Sequence, residues 1–463
     1  MGAVAEPASG GGRGRVPLLI ACALVLALAA AAAAAPGDLR FERCVDDTFG
    51  PEDCGRSGKA LNGANAVVLS PDGASAYVAS VFSDAVTHLK VNQAEGRLRP
   101  VNRHCVDNVG GADPCPRQAP GLLTVASLTV SPDEKFVYAT GGNGSTVTVL
   151  ERDGDTGSLR SRGCIEDDDG GFDVCGREAP GMLGANHIVI SPDGRFAYVA
   201  AGTDDAIAIL KRNQQTGKLR AFDCVEDGER SVGPDSSGCG RAAGGLNGVA
   251  EVALGRGSRS LYYAGALDDT VGRMGRTRDN GRLKPRECVA DENTGTGGCT
   301  LEMQGLDGPG QLALDSERRF LYAGAGSGFE HSIALLRLRR RAGVLRPVQC
   351  VADADNGPPA GCPRTADGLE VVSALVISPD DRFLYAQSSL DDAIVTLRRD
   401  RDNGRLTDRG CIADDDAPAP GGDCDREADT LNGGGSLQIT ANGRWLLAVS
   451  QIEDAVSVFK RRR

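Results

Sequence analysis

Short apolar runs separated by turn-forming residues recur along the chain. Residues 186–190 are a β-branched run, and a Ser-Pro-Asp-Gly turn leads from it to residues 196–200, which alternate large and small side chains. Two further runs, at 206–210 and 218–222, follow an Asp-Asp turn and a Gln-Thr-Gly turn. Proline and glycine suit such tight turns, and no run shows a helical period. The pattern predicts a meander of four short antiparallel strands.

The same order of strands and turns occurs seven times, and each unit carries one close pair of cysteines. The first cysteines of successive pairs lie 59 to 64 residues apart. A repeat of this length indicates a solenoid or a propeller, and a four-stranded meander is one propeller blade. The sequence therefore predicts an all-β fold, a seven-bladed β-propeller with four-stranded antiparallel blades, as a single domain over residues 36–463.

The two ends of the repeat array complement each other. The last unit stops at Phe459, after its third strand, and an unpaired fourth strand, 39–43, precedes the first cysteine, Cys44. An open array would leave two sheet edges exposed, whereas a closed ring leaves none. We therefore expect the N-terminal strand to complete the last blade and to close the ring.

The cysteine count bears on both the bonding and the compartment. Cys22 lies in the N-terminal segment, and the other fourteen cysteines form close pairs. Zinc is the alternative to disulfides, but zinc sites use spacings near C-x2-C, whereas these pairs are 10 to 15 residues apart and the chain has four histidines. The spacing favours disulfides in an exported protein. The predicted disulfides are Cys44–Cys54, Cys105–Cys115, Cys164–Cys175, Cys224–Cys239, Cys288–Cys299, Cys350–Cys362 and Cys411–Cys424.

Residues 1–35 have the features of a targeting segment. Arg13 and Arg15 precede an apolar stretch, 16–34, that ends in small residues before Pro36. This order predicts a secretory signal peptide cleaved near Ala35. A retained membrane anchor is the alternative, because the stretch is long enough to cross a bilayer. A lipoprotein cleavage site at Cys22 is a third alternative, although most of the apolar stretch follows it. We expect a secreted or cell-envelope protein.

Charge restricts the partners. The full chain has a formal net charge of −12, which disfavours nucleic acid and anionic membrane surfaces. We expect a monomer that binds an unknown small molecule or protein, with no nucleic-acid partner and no membrane contact beyond an N-terminal anchor.

The topology places the cysteine loops and the Asp-Asp turns on one face, which is rich in carboxylates. Calcium takes six to eight oxygen ligands, so a calcium-binding face is one hypothesis. The alternative is that these aspartates cap turns through backbone N–H groups. No loop matches the EF-hand pattern. The candidate calcium ligands are Asp47, Asp167, Asp227, Asp291, Asp353 and Asp414.

One histidine and one glutamate occupy matching places in neighbouring units. His187 begins an inner strand in the third unit, near the mouth of the central channel, and Glu251 has the same place in the fourth. A histidine beside a carboxylate suits general acid–base catalysis. The alternative is that His187 is a hydrogen-bonded structural residue and Glu251 a solvated strand start. The chain has no G-x-S-x-G, H-E-x-x-H or phosphate-loop motif.

The repeat resembles the lactonase family of seven-bladed propellers, which includes 6-phosphogluconolactonase-like proteins. The resemblance lies in the string 191–200 (SPDGRFAYVA), the following Asp205 and the turn string 216–219 (TGKL), and similar strings occur in all seven units. In that group a histidine opens one inner strand, and His187 matches it. A Gly-Pro-Arg-His string commonly opens the next inner strand, where this sequence has Gly-Val-Ala-Glu, ending at Glu251.

Two functions follow from these observations. The first is an exported binding or scaffold protein that uses its acidic, disulfide-framed loop face, and the sequence favours it. The alternative, which the resemblance implies, is a lactonase-like hydrolase that opens a small lactone at the mouth of the channel. A pocket in which His187 and a second polar group converge would distinguish the hydrolase.

Overall fold

The computed structural model places the repeats as seven sheets around one axis. Residues 36–463 form one compact unit, and the predicted targeting segment, 1–35, lies outside the described residues. In the described part of the chain, no helix has the length and apolarity needed to cross a membrane. Within 36–463 the positions that are not described are 49, 51–53, 112–114, 171, 173, 229–236, 296–297, 327–329, 340–342, 356–360 and 416–423.

Each blade is a four-stranded antiparallel meander with a short fifth strand at its outer edge. The chain runs outward from the inner strand, passes through the disulfide loop, and returns as a strand of two or three residues that pairs in parallel with the fourth. The predicted propeller is therefore confirmed. The fifth strands were not predicted, because two or three residues are too few to show a strand period.

The blades are numbered here by their inner strands, from the N-terminus. The inner strands are Ala64–Leu69, Val125–Val130, Ala185–Ile190, Val249–Leu254, Pro309–Leu314, Val372–Ile377 and Gly434–Ile439. The second strands are Ser75–Ser80, Phe136–Gly141, Phe196–Ala201, Ser260–Gly265, Phe320–Ala325, Phe383–Ser388 and Trp445–Ser450. The third strands are Ala85–Asn92, Thr146–Arg152, Ala206–Arg212, Thr270–Arg276, Ser332–Leu338, Ala393–Arg399 and Ala455–Arg461.

The outer strands follow the same order of blades. In blade 1 the fourth strand is split into two segments around a short 3₁₀ helix, Asn102–His104. A second 3₁₀ helix, Arg256–Ser258, forms the first turn of blade 4. The fourth strands are Arg97–Pro100 with Val106–Asn108, then Leu159–Asp167, Leu219–Asp227, Leu283–Asp291, Leu345–Asp353, Leu406–Asp414 and, for blade 7, Leu39–Asp47. The fifth strands are Arg117–Ala119, Glu178–Ala179, Ala242–Ala243, Leu301–Met303, Thr365–Ala366, Glu427–Ala428 and Ser57–Gly58.

The N-terminal strand closes the ring, as the sequence predicts. Leu39–Asp47 pairs antiparallel with the last strand, Ala455–Arg461, from Leu39 opposite Arg461 to Asp46 opposite Ala455. The amide N–H of Gly37 also donates to the carbonyl oxygen of Arg462 at 2.8 Å. Blade 7 is thus built from both ends of the chain, and each inner strand contacts the inner strands of two neighbours around a complete circle.

All seven predicted disulfides are present. Six of them join a fourth strand to the loop before the fifth strand, and in blade 1 Cys105 lies directly before the second segment of the fourth strand; the Cα atoms are 4.9 to 5.4 Å apart. In the chain-entropy account, closing a loop of this length contributes about 3 kcal/mol by restricting the unfolded chain. The bridges therefore stabilise the outer edge of each blade, where little apolar surface is buried.

The core lies between the blades. Each second strand is buried along its whole length, because one blade covers each of its faces. Apolar side chains of neighbouring blades pack in seven large clusters. Six of the most buried large side chains are tyrosines, one in each of blades 1 to 6.

These tyrosines belong to a repeated polar contact between neighbouring blades, which we name the interblade clasp. At the contact between blades 2 and 3, Tyr138 donates its hydroxyl to the carbonyl oxygen of Gly217 at 2.8 Å. Arg212 donates to the hydroxyl of Tyr138 at 2.5 Å and to the carboxylate of Asp133 at 2.8 Å. The guanidinium also lies 5.3 Å from the ring centroid of Phe136. One buried arginine therefore joins three groups of the neighbouring blade.

Five of the seven blade contacts carry such a clasp. They are formed by Tyr77, Arg152 and Asp72; by Tyr138, Arg212 and Asp133; by Tyr198, Arg276 and Asp193; by Tyr322, Arg399 and Asp315; and by Tyr385, Arg461 and Asp380. In the last of these the tyrosine hydroxyl donates to the carbonyl oxygen of Gly37, so this clasp also fastens the closing strand.

We expect Tyr138→Phe to lower the free energy of unfolding more than Tyr262→Phe does. Tyr262 donates to the carbonyl oxygen of Gly343, but Leu338 stands where the other clasps have arginine. The first variant leaves a buried guanidinium short of one acceptor, at a cost of about 2 kcal/mol, and the second loses one neutral bond of about 1 kcal/mol. Urea unfolding of both variants measures the difference, and equal losses would contradict the clasp.

Candidate active site in the central channel

In blades 1 to 6 the third residue of the inner strand lies just after a β-bulge. In blade 3 the pairing register shifts between Ala185 and His187, and in blade 4 it shifts between Val249 and Glu251. A bulge redirects the side chain that follows it. The same position in the other blades is occupied by Ala66, Ser127, Gln311, Ala374 and Ser436. The histidine and the glutamate are thus two unusual members of one structural position.

The structure brings His187 and Glu251 together. His187 Nε2 lies 3.8 Å from Glu251 Oε1. The backbone N–H of Val252 donates to His187 Nδ1 at 3.5 Å, and the N–H of Leu312 donates to Glu251 Oε2 at 2.8 Å. Since Nδ1 accepts a bond, a neutral His187 carries its proton on Nε2. The pair therefore presents an N–H donor and a carboxyl oxygen, side by side.

Burial makes both groups neutral near physiological pH. Desolvation raises the pKa of the Glu251 carboxyl to about 8, although the bond from Leu312 lowers it. Desolvation also lowers the pKa of the His187 imidazole to about 4. The side chains keep 16% and 26% of their surface accessible. A small molecule can therefore reach a carboxyl group whose proton is exchangeable close to neutral pH.

A cavity of about 900 Å³ contains the pair. Its wall includes apolar residues of three neighbouring inner strands, among them Val189, Leu254 and Leu314. Most of the rest of the wall comes from the first turns of blades 3, 4 and 5, including Arg256 and Arg318, and Arg276 and Arg278 of blade 4 also line it. The cavity thus extends from the acid–base pair toward the turn face. None of the cysteine-loop carboxylates that the structure describes lines it, so this cavity differs from the predicted acidic face.

The six aspartates predicted as calcium ligands lie on six different blades, and all are buried. Each is the last residue of a fourth strand, and its Oδ2 accepts a backbone N–H from the segment that leads to the next inner strand, at 2.7 to 3.0 Å. The donors and acceptors are Leu61 and Asp47, Met182 and Asp167, Leu246 and Asp227, Leu306 and Asp291, Leu369 and Asp353, and Leu431 and Asp414.

These contacts match the alternative of backbone capping. The Asp-Asp turns act similarly: Asp205 accepts from the N–H of Gly248, and Asp269 accepts from the N–H of Gly308. Among the residues that the structure describes, no group of three or more His, Cys, Asp or Glu side chains is placed to hold a metal ion. Calcium binding by these aspartates stays a prediction.

Two other histidines are part of the packing of blade 1. His88 is buried, with its Nδ1 3.1 Å from Nδ1 of His104 and its Nε2 3.0 Å from the hydroxyl of Ser75. Desolvation lowers the pKa of His88 to about 3. Blades 2, 3, 5 and 6 have a phenylalanine, such as Phe136, at the position that Ser75 occupies in blade 1. In blade 1 the ring of His88 fills the space of that missing phenylalanine ring. It has a structural role.

The arginines of the turn face were not predicted from the sequence. Arg256, Arg278 and Arg318 line the cavity, but in the sequence they are single charges in turns of three different strand pairs. The signal that was available was a departure from the repeat, because blade 4 has Gly-Arg-Gly-Ser where blade 3 has Ser-Pro-Asp-Gly. That departure lies in the wall of the cavity that also contains Glu251.

One family of known proteins matches part of the chain. The family described as "Lactonase, 7-bladed beta-propeller" matches residues 30–167, which include the closing strand and most of the first two blades. No curated protein matches the chain.

Several solved propellers have the same fold. A protein of Bacteroides fragilis assigned as a 6-phosphogluconolactonase is 20% identical, with a TM-score of 0.51, and the match covers 74% of this chain and 82% of that one. The periplasmic gluconolactonase of Pseudomonas aeruginosa is 17% identical, with a TM-score of 0.54, over 75% of this chain and 85% of that one. The predicted resemblance of this chain to the lactonase family of seven-bladed β-propellers is therefore confirmed, by the family match at its N-terminal blades and by the fold of all seven.

Proposed function

We propose that the protein is a lactonase-like hydrolase that opens small lactones in the channel cavity. The observation that carries the proposal is the placement of His187 Nε2 3.8 Å from Glu251 Oε1, on adjacent inner strands and inside a cavity of about 900 Å³. The lactonase-type fold supports the same reaction class. A propeller by itself does not determine an activity, so the argument depends on the pair.

Glu251 suits the role of general base. Its Oε2 is held by the N–H of Leu312, which leaves Oε1 directed toward His187. A carboxylate whose pKa lies near 8 is a stronger base than an ordinary glutamate, and it can remove a proton from water at neutral to alkaline pH. The water oxygen then attacks the carbonyl carbon of the lactone.

His187 suits the role of hydrogen-bond donor. Its neutral imidazole presents the Nε2 proton, and the oxygen that becomes negative as the carbonyl is attacked would accept it. The bond between the carbonyl carbon and the ring oxygen then breaks, and the proton held by Glu251 passes to that oxygen. One water molecule is consumed and one hydroxy acid is formed.

We further propose that the enzyme works outside the cytoplasm. Seven disulfides persist only where thiols are not kept reduced, and all seven are formed in the structure. The Pseudomonas aeruginosa relative is described as periplasmic. The predicted signal peptide, 1–35, is in agreement with export.

The test is a panel of γ- and δ-lactones, including glucono-δ-lactone, with product acid measured by base titration after subtraction of spontaneous hydrolysis. We expect turnover of at least one lactone, and we expect it to be unchanged by EDTA or by added calcium. Saturable binding of a lactone without any turnover would overturn the hydrolase and favour the alternative of a binding protein. Turnover that depends on calcium would contradict the proposed general base.

A further inference from the structure

The contact between blades 4 and 5 departs from the other clasps at three positions. Blade 4 has Gly257 at the position of Asp193 in blade 3, and Ser260 at the position of Phe196. Blade 5 has Leu338 at the end of its third strand, where the complete clasps have an arginine. The bond from Tyr262 to the carbonyl oxygen of Gly343, at 2.7 Å, remains. This contact thus lacks the carboxylate, the aromatic ring and the buried guanidinium of a complete clasp.

A cavity of about 500 Å³ occupies the position, and it is lined by arginine. No aspartate or glutamate is among the described residues that form its wall. The arginines of the wall are Arg256, Arg259, Arg278, Arg318, Arg319 and Arg339.

These guanidinium groups are poorly neutralised by the protein. Among the described residues, only Arg319 of the six has a carboxylate within 4.0 Å, from Glu317 and Asp315. Arg278 donates to the carbonyl oxygen of Gly257, and Arg318 donates to that of Leu314. Like charges gathered around a concave space repel one another and create a positive potential there. In a chain with a net charge of −12, such a concentration of positive charge requires an explanation.

We propose that this cavity binds a phosphate or sulfate group carried by a small ligand. In each of the five complete clasps a carboxylate neutralises an arginine between two neighbouring blades. The contact between blades 4 and 5 has no such carboxylate among the residues that the structure describes. Guanidinium groups bind phosphate and sulfate oxygens with paired N–H donors. A bound oxyanion would take the place of the carboxylate that Gly257 cannot provide. This cavity adjoins the channel cavity and shares Arg256, Gly257, Arg278 and Arg318 with it, but its wall does not include His187 or Glu251. The site is therefore defined by anion binding and not by hydrolysis.

The experiment is calorimetric titration of the purified protein with inorganic pyrophosphate at a constant ionic strength of about 0.15 M, where exposed charges are largely screened. We expect saturable binding with one site per chain. The double variant Arg256→Ala/Arg339→Ala should weaken it at least tenfold. Arg405→Ala, which removes an exposed arginine from a turn of blade 6 on the same face, should change it less than twofold.

A second variant tests the site without removing an arginine. Gly257→Asp adds a carboxylate to the wall of the cavity, at a position with φ of +60°, where the added Cβ would meet the end of the flexible side chain of Arg278. Aspartate tolerates this backbone conformation better than most residues do. The built-in carboxylate should abolish pyrophosphate binding while the melting temperature stays equal or rises.

Three results would overturn the proposal. They are an absence of pyrophosphate binding to the parent protein, an equal loss of affinity in Arg405→Ala, and undiminished binding to Gly257→Asp. A protein that binds long-chain polyphosphate but not pyrophosphate would also overturn it, in favour of an extended surface for polyanions. Circular dichroism of each variant shows whether the fold is kept.

Discussion

Deletion of residues 37–43 should lower the free energy of unfolding by about 5 kcal/mol or more. These residues bury Leu39 against Phe383 and Phe459, provide most of the ladder with the last strand, and place the Gly37 carbonyl that accepts from Tyr385. Each large apolar side chain contributes about 2 kcal/mol and each lost hydrogen bond about 1 kcal/mol. The deletion also exposes the third strand of blade 7 as a sheet edge. Urea unfolding measures the effect.

A circular permutant is the matched control for this deletion. The two ends of the chain are adjacent, because the N–H of Gly37 donates to the carbonyl oxygen of Arg462. A chain that starts at Arg56 and carries residues 37–55 after Arg463, joined by a short turn, keeps every strand. It should unfold within about 1 kcal/mol of the parent, since the same contacts form. A permutant as unstable as the deletion, or a deletion as stable as the parent, would contradict closure by this strand.

Glu251→Gln should reduce kcat for lactone hydrolysis about 100-fold or more, because a general base contributes a factor of roughly 10² to 10⁴. The amide has the shape of the carboxylate and can still accept the N–H of Leu312, but it cannot take a proton from water. His187→Ala should also reduce kcat, with a smaller effect on KM, because its N–H stabilises the transition state. A kcat that is unchanged in Glu251→Gln would refute the assigned base.

The pH profile of the parent enzyme tests the assignment of Glu251 as the general base. The general base must be ionised, and the pKa of Glu251 is about 8, so kcat/KM should rise about tenfold per pH unit below 8 and level off above it. His187, with a pKa of about 4, stays neutral over that range, so its titration causes no further change in kcat/KM there. A profile that is flat from pH 6 to pH 9, after correction for spontaneous hydrolysis, would contradict the base.

Two controls separate chemistry from folding. Glu330→Gln changes another glutamate whose pKa burial raises, to about 7, but it lies outside the channel cavity, so turnover should be unchanged. Glu251→Gln itself should not destabilise the protein at alkaline pH. The folded state holds the Glu251 proton up to pH 8 whereas the unfolded chain loses it near 4.5, so the cost of the buried charge accumulates between these values and is complete above pH 8. The melting temperature of the variant should therefore equal or exceed that of the parent at pH 9.

The proximity of His187 and Glu251 could be predicted from their matching positions in neighbouring repeats. The bonding partners of the acidic residues could not be predicted in this way. His187 and Glu251 occupy the third place of successive inner strands, and a closed ring makes such residues neighbours. The cysteine-loop aspartates drew attention because they are numerous, yet Asp167 and Asp227 are buried and bonded to backbone N–H groups. Carboxylates that cap turns and carboxylates that bind calcium have the same sequence signal, and only their partners distinguish them.

The sequence alone determined the propeller, the number of blades, the strand that closes the ring and the pairing of the cysteines. All of these follow from a pattern of strands and turns that repeats about every sixty residues, seven times, and from the missing fourth strand of the last repeat. Only the tertiary structure determined which charges meet across blades. Arg256 and Arg339 are 83 positions apart in the chain and line one cavity, because packing joins turns of neighbouring blades, and three small departures from the repeat leave that cavity unfilled. Contacts of this kind depend on how consecutive blades pack against each other, and the periodicity of the chain does not encode them locally.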